Sequence, residues 1–282
     1  MAYSWRVRSL LSRLRPDPAP EQAPAGATVR EDAEPFAHDG GPIGVLLCHG
    51  FTGSPRSMRP WADRFAEAGF TVSLPRLPGH GTTWQELNQT RWPDWFGEVE
   101  RALADLAGRC ERVFCCGLSM GGGMALGLAE RHPDQVAGLV LVNPCVHLAD
   151  PKMKLLLPWL RFVVPAIPGI ANDIAAGGDE GGYSRTPLQA AHSMNRMYAE
   201  FAAQLVDVRC PVLLYRSVTD HVVDPSSAEL IRQHVSGPVT ERLLARSFHV
   251  ATLDHDAETI FAGSLDFVRA HDGETASGGA GT

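Results

Sequence analysis

The sequence predicts an α/β fold: a doubly wound, mostly parallel sheet carrying a helical cap insertion. Three observations predict it. Short, continuously apolar runs alternate with amphipathic runs along most of the 282 residues, as strands buried on both faces alternate with covering helices. One stretch of roughly sixty residues breaks the alternation and is too long for a plain loop. A glycine-framed serine, Gly117-Leu118-Ser119-Met120-Gly121, stands between an apolar run and a helical one, the pattern of a sharp strand-to-helix turn.

Composition narrows the function classes. The chain is 44% hydrophobic and 20% charged, with a net charge of −7. A nucleic-acid binder would show a basic footprint instead. No apolar run is long enough to span a bilayer, and the first fifteen residues lack the core of a secretory signal. The six cysteines form neither a C-x-x-C pair nor a zinc spacing with histidine, and so predict no metal site. Cys48, Cys115, Cys116 and Cys145 lie in or beside apolar runs. That suits small buried residues in a reducing, cytoplasmic compartment.

Residues 1–40 read as a flexible basic leader and linker. Residues 1–15 hold four arginines and no acid, with Val7, Leu10, Leu11 and Leu14 at helical spacing. The pattern has two readings: a short amphipathic helix on an anionic membrane surface, or an arginine-rich disordered leader. Residues 16–35, rich in proline, alanine and acids, predict a linker.

The core is expected over 41–147 and 206–272. Ile43 to Cys48 predicts its first, central strand. Residues 55–68 predict a helix with Ser54 as N-cap, Pro55 at its first position and Gly69 as the stop. Residues 70–74 predict a second strand. Residues 92–109 predict a helix, because Trp92, Trp95, Phe96, Val99, Leu103 and Leu106 share one face. Residues 112–116 predict the strand entering the serine turn, and 124–131 the helix leaving it. Strands at 138–142, 211–215 and 239–244 and helices at 226–234 and 256–270 complete the core. Residues 273–282 read as a disordered tail.

Between them, 148–205 reads as the cap, with no good strand. Residues 151–170 are apolar and punctuated by Pro158, Pro165 and Pro168, a glycine-rich loop follows, and 187–205 is helical. Leu155, Leu156, Leu157, Trp159, Phe162 and Val163 have two readings: packing onto the core, or the wall of an acyl pocket that also meets lipid.

The serine turn defines what else the chain must supply. A serine at the tip of such a turn is strained, and glycines two residues either side avoid collision. To act as a nucleophile it needs a base, an acid to orient the base, and donors for an oxyanion. In this architecture the order is serine, acid, histidine. Asp220 lies in the loop leaving the strand at 211–215, whereas Asp224 precedes Pro225 and reads as a helix cap. His249 follows the last strand. His255 reads as surface, and His221, His234 and His271 lack a strand end to present them. The oxyanion donors are expected at the N–H of Met120 and of Phe51, in the loop after the first core strand. His49 and His80 read as loop props.

These stretches resemble a known family. Residues 44–55 (GVLLCHGFTGSP), 74–82 (LPRLPGHGT), 117–122, Asp220-His221-Val222-Val223 and 249–254 (HVATLD) are similar to the α/β-hydrolase superfamily, and within it to the bacterial carboxylesterases and monoacylglycerol lipases. The resemblance spans about residues 43–270 and is weak over 148–200; the arginine-rich leader is not part of it. It implies a serine hydrolase of carboxylic esters, short- to medium-chain or monoacylglycerols, with Ser119, Asp220 and His249 as triad and Phe51 and Met120 as oxyanion donors. It implies no cofactor. The expected partner is a small ester or lipid, with no nucleic acid. Lysophospholipase, thioesterase and perhydrolase chemistry would use the same triad; a non-catalytic ligand-binding protein of the same fold is the alternative of a different class.

Overall fold

A computed structural model describes residues 28–169 and 172–273. The basic leader at 1–15, most of the linker and nearly all of the predicted tail lie outside the described residues.

The elements follow in chain order. A short strand β1 (Phe36–His38) precedes β2 (Ile43–Cys48). A 3₁₀ turn, Pro55–Met58, runs into α1 (Arg59–Glu67), then β3 (Thr71–Leu74). Next come α2 (Trp84–Leu87), α3 (Trp92–Ala107), β4 (Arg112–Leu118), α4 (Met120–Arg131) and β5 (Val136–Val142). The insertion holds α5 (Pro151–Leu160), β6 (Ala166–Pro168), β7 (Arg185–Pro187) and α6 (Leu188–Phe201). The core resumes with β8 (Val212–Ser217), α7 (Ser226–His234), β9 (Val239–Leu244) and α8 (Ala257–His271).

Among the described residues seven strands form one sheet in the order β1-β3-β2-β4-β5-β8-β9. All neighbours are parallel except β1, which runs antiparallel to β3. Alternate residues of each strand enter two cores. Leu46, Cys48, Val113 and Cys115 pack towards Trp95, Phe96 and Val99 of α3 and Met124 of α4. Val45, Leu47, Phe114 and Cys116 pack towards Trp61 and Phe65 of α1 and Ile260 and Phe261 of α8. Burial on both faces is why these strands read as continuous apolar runs. The order reverses between β2 and β4, since β3 lies on one side of β2 and β4 on the other. The crevice past the strand ends at such a reversal is where α/β folds bind ligands.

Four expectations are corrected. The flexible segment does not extend to residue 40: Ala33 is fully buried and β1 pairs Phe36 with Leu74. Three residues at a sheet edge carry too little pattern to be read. Ser54 is not a capping side chain, for its hydroxyl is buried without a partner. The helix after the serine begins at Met120, not 124, the three glycines being helical because the core packs closely on them. The insertion does contain strands, the antiparallel pair β6 and β7, in which Ala166 faces Pro187.

The far end of α4 holds an oddity. Both carboxyl oxygens of Glu130 are buried with no hydrogen-bond partner. Burial pushes this group up to about 9, against the opposing effect of Arg131.

Candidate active site

Ser119 sits between β4 and α4 with φ 55° and ψ −117°, outside the regions open to ordinary residues. Its surroundings enforce that conformation. A Cβ at Gly117 would lie 2.4 Å from the Gly121 carbonyl carbon, and one at Gly121 only 1.9 Å from the Cys48 carbonyl oxygen. The two framing glycines are therefore required by close packing of β2, β4 and α4. Backbone bonds lock the turn: Ser119 N–H donates to the Val142 carbonyl at 3.0 Å, and Gly122, Gly123 and Cys145 N–H groups donate to the Ser119 carbonyl.

His249 follows β9 and Asp220 follows β8. The His249 Nδ1–H donates to Asp220 Oδ2 at 2.9 Å, with the two side chains 9% and 6% exposed. Asp220 Oδ1 accepts the N–H groups of Val222 and Val223, each at 2.8 Å. Burial alone would raise the Asp220 carboxyl. The bonds from His249, Val223 and Val222 outweigh it and hold the group below its ordinary value. A carboxylate only accepts, so His249 carries its proton on Nδ1 and leaves Nε2 free to take one. Asp224 accepts the Ser226 N–H at 2.9 Å but stands one residue ahead of the N-cap of α7, which is Pro225.

Phe51 and Met120 stand on either side of the serine, in the loop after β2 and at the first position of α4. Among the described residues neither N–H donates to a protein acceptor. Gly50 brings the Phe51 loop close, since a Cβ there would lie 3.6 Å from Ser119 Cβ. His49 supports that loop: its Nδ1–H donates to the Gly50 carbonyl at 3.0 Å, and its Nε2 accepts Leu77 N–H at 3.2 Å. Complete burial pushes His49 down to about 4, so it is a neutral prop. His80 is likewise fully buried, edge-on to His49, Phe51 and Trp95. His255 is exposed, and His221 pairs with Asp173.

Ser119, His249 and Phe51 line one cavity of about 310 Å³. Its apolar wall includes Met153, Leu157, Ile167 and Leu188 from the insertion and Val222 and Val223 from the loop after β8. A larger open groove of about 950 Å³ along Phe36, Arg76 and Arg101 shares no residue with it. Of the apolar residues singled out in α5 and beyond, only Leu157 is buried and reaches the cavity. Leu155, Leu156, Trp159, Phe162 and Val163 are exposed, Val163 by 77%.

Sequence reasoning missed four polar residues here. Asn143, at φ 44°, bonds Ser217 and the His249 carbonyl, joining the ends of β5 and β8 to the histidine loop. Asp173 and Glu180 line the cavity from the insertion. Asp254 accepts the N–H groups of Phe248, Ala175, Ala176 and His255. Only Asn143 left a signal, as an Asn-Pro pair directly after a strand. Among the described residues no group of three His, Cys, Asp or Glu side chains is gathered to hold a metal.

A parallel sheet with a strained serine at its switch point, backed by a buried histidine–carboxylate pair, defines the class of α/β-hydrolases. The Hydrolase_4 family model, described as serine aminopeptidase, S33, matches residues 43–256, and the chain belongs to that family. It is 39% identical to a thermostable monoacylglycerol lipase of Bacillus sp. (strain H-257), over 87% of this chain and 98% of that one. It is 26% identical to a carboxylesterase of Bacillus subtilis (strain 168), over 83% and 96%. A solved structure from work on LipS and LipT, two metagenome-derived lipolytic enzymes, superposes with a TM-score of 0.84 at 40% identity, covering 86% of this chain and all of the other. The chain is a serine hydrolase of the lipase and esterase kind.

Proposed function

We propose that the chain hydrolyses monoacylglycerols and comparable single-chain esters through an acyl-enzyme on Ser119. His249 Nε2 takes the Ser119 hydroxyl proton as Oγ attacks the ester carbonyl. The Phe51 and Met120 N–H groups hold the resulting oxyanion. His249 gives that proton to the departing alcohol, then takes one from water as the water oxygen attacks the acyl carbonyl, and returns it to Ser119 Oγ as the acid leaves. Asp220 keeps the base in its working tautomer and stabilises its charged form. No cofactor or metal enters these steps.

The observation that carries this reading is the cavity that opens at Ser119. At about 310 Å³ it lies at the low end of ligand sites, suited to one acyl chain rather than three. Its wall is apolar where a chain would run. Glu180, held up by burial, offers a hydrogen-bonding carboxyl to the hydroxyls of a glyceryl group. The name of the Bacillus lipase points the same way. The exposed apolar residues of α5, with Lys152 and Lys154 beside them, suit contact with the lipid phase that holds such substrates. No helix among the described residues is long and apolar enough to cross a membrane. All six cysteines are free, which supports a reducing, cytoplasmic setting.

Substrate profiling tests this. Full chain and Ser119→Ala are assayed on monoacylglycerols, triacylglycerols, lysophospholipids, acyl thioesters and aminoacyl anilides. The expected result is highest kcat/KM on monoacylglycerols, lost in the variant. Preference for thioesters, lysophospholipids or anilides overturns the substrate class; undiminished turnover by the variant overturns the mechanism.

A further inference from the structure

We propose that Asp173, on the insertion, is a positioning residue for His249, so that the insertion and the base form one hydrogen-bonded unit. The proposal rests on the reading of His249 as the base.

The base lies on a loop that has left the sheet, so strand neighbours do not hold it. Three consecutive N–H groups of that loop are instead held by carboxylate or carbonyl acceptors. Phe248 N–H donates to Asp254 Oδ2 at 2.9 Å, His249 N–H to Asp173 Oδ2 at 3.1 Å, and Val250 N–H to the Asp173 carbonyl at 3.1 Å. Asp254 fastens the same piece of the insertion, accepting Ala175 N–H at 2.7 Å and Ala176 N–H at 2.9 Å. Asp173 reaches the loop of the orienting acid too. His221, the residue after Asp220, donates to it through its backbone N–H at 3.2 Å and through its Nδ1–H at 2.7 Å. One carboxylate thus spans the loops of His249 and Asp220, with its side chain 11% exposed. Ile174, next in sequence, is buried in the same side of the core as Val250.

Asp173 also lines the cavity beside Ser119 and His249. A shift of the insertion that opens the cavity pulls on the backbone of the base. A triad displaced by about 1 Å loses on the order of 10²-fold in rate.

The test compares Asp173→Ala and Asp173→Asn in the full chain. Readouts are kcat and KM on p-nitrophenyl butyrate, the rate of Ser119 labelling by a fluorophosphonate, and thermal melting. Asp173→Ala is expected to lower kcat and labelling by about 10- to 100-fold with KM within about threefold. Asparagine keeps an oxygen for the two N–H groups and an amide that can meet the other tautomer of His221, so Asp173→Asn is expected to recover to within about fivefold of the unchanged chain. Wild-type kcat in Asp173→Ala, an effect on KM alone, or an asparagine variant as poor as alanine each overturns the proposal. Should alanine not fold, Asp173→Ser carries the same expectation. His249→Ala separates the levels. If it stays active, the reading of the base fails. If it is inert while Asp173→Ala is normal, the positioning role alone fails.

Discussion

The turn at Ser119 and the insertion at 148–205 face each other across one cavity, and they are built by opposite rules. The turn is fixed by backbone: glycines that admit no Cβ, carbonyls and N–H groups in close register, one strained residue. The insertion leans more on side chains: beside the paired strands β6 and β7, the carboxylates of Asp173 and Asp254 tie it to the histidine loop. Backbone constraint tolerates few residue types; side-chain constraint tolerates many. The nucleophile is thus held by backbone in the first region, while the second supplies cavity wall and, through Asp173, bonds to the loop of His249.

If the division is real, variants on the two sides differ in kind. The largest effect belongs to Ser119→Ala, with an expected fall in kcat of roughly 10⁵- to 10⁶-fold on every ester alike. A variant that spared one substrate would break the comparison. Asp220→Asn follows at about 10³- to 10⁴-fold, from misorientation of His249, again uniform across chain lengths in a p-nitrophenyl series. On the insertion side, Leu157→Phe fills the cavity. The expected outcome is a loss of about 10-fold in kcat/KM for long acyl chains with acetate turnover within about threefold. A uniform loss would mean that position 157 acts on the chemistry and not on chain length.

The smallest effect on turnover belongs to Glu130, at the end of α4 away from the serine. Its folded value of about 9 exceeds the unfolded value near 4.3. The folded state therefore keeps a proton that the unfolded state releases between those values. The stability this group contributes is fully present below about pH 4 and is lost as pH rises towards 9. Glu130→Gln should flatten that slope and raise stability at pH 8 by on the order of a few kcal/mol, read by denaturant titration at several pH values, with kcat unchanged within about twofold.

The same contrast explains what the sequence made legible. The central strands announce themselves because burial on both faces leaves only apolar residues. Ser119, Asp220 and His249 could be picked out because each stands at a strand end in a required order. The structure joins Asp220 to His249 and sets Ser119 on the same cavity as His249. The strands β1, β6 and β7 were hidden, three residues each, with proline in two of them. Asp173 could not be seen at all. An aspartate in a glycine-rich loop has no local mark, and its meaning comes only from loops that meet it in space.

The hydrogen bond between His249 and Asp220, and the bond from Asn143 to the His249 carbonyl, have a consequence in time. The chain is made from its N-terminus, and its units fold as they emerge. The segment that carries Ser119 is synthesised before β8, β9 and the histidine loop. A ribosome-bound chain that stops short of β8 therefore holds Ser119 without the joined Asp220 and His249, which come together only when the C-terminal segment packs onto the sheet.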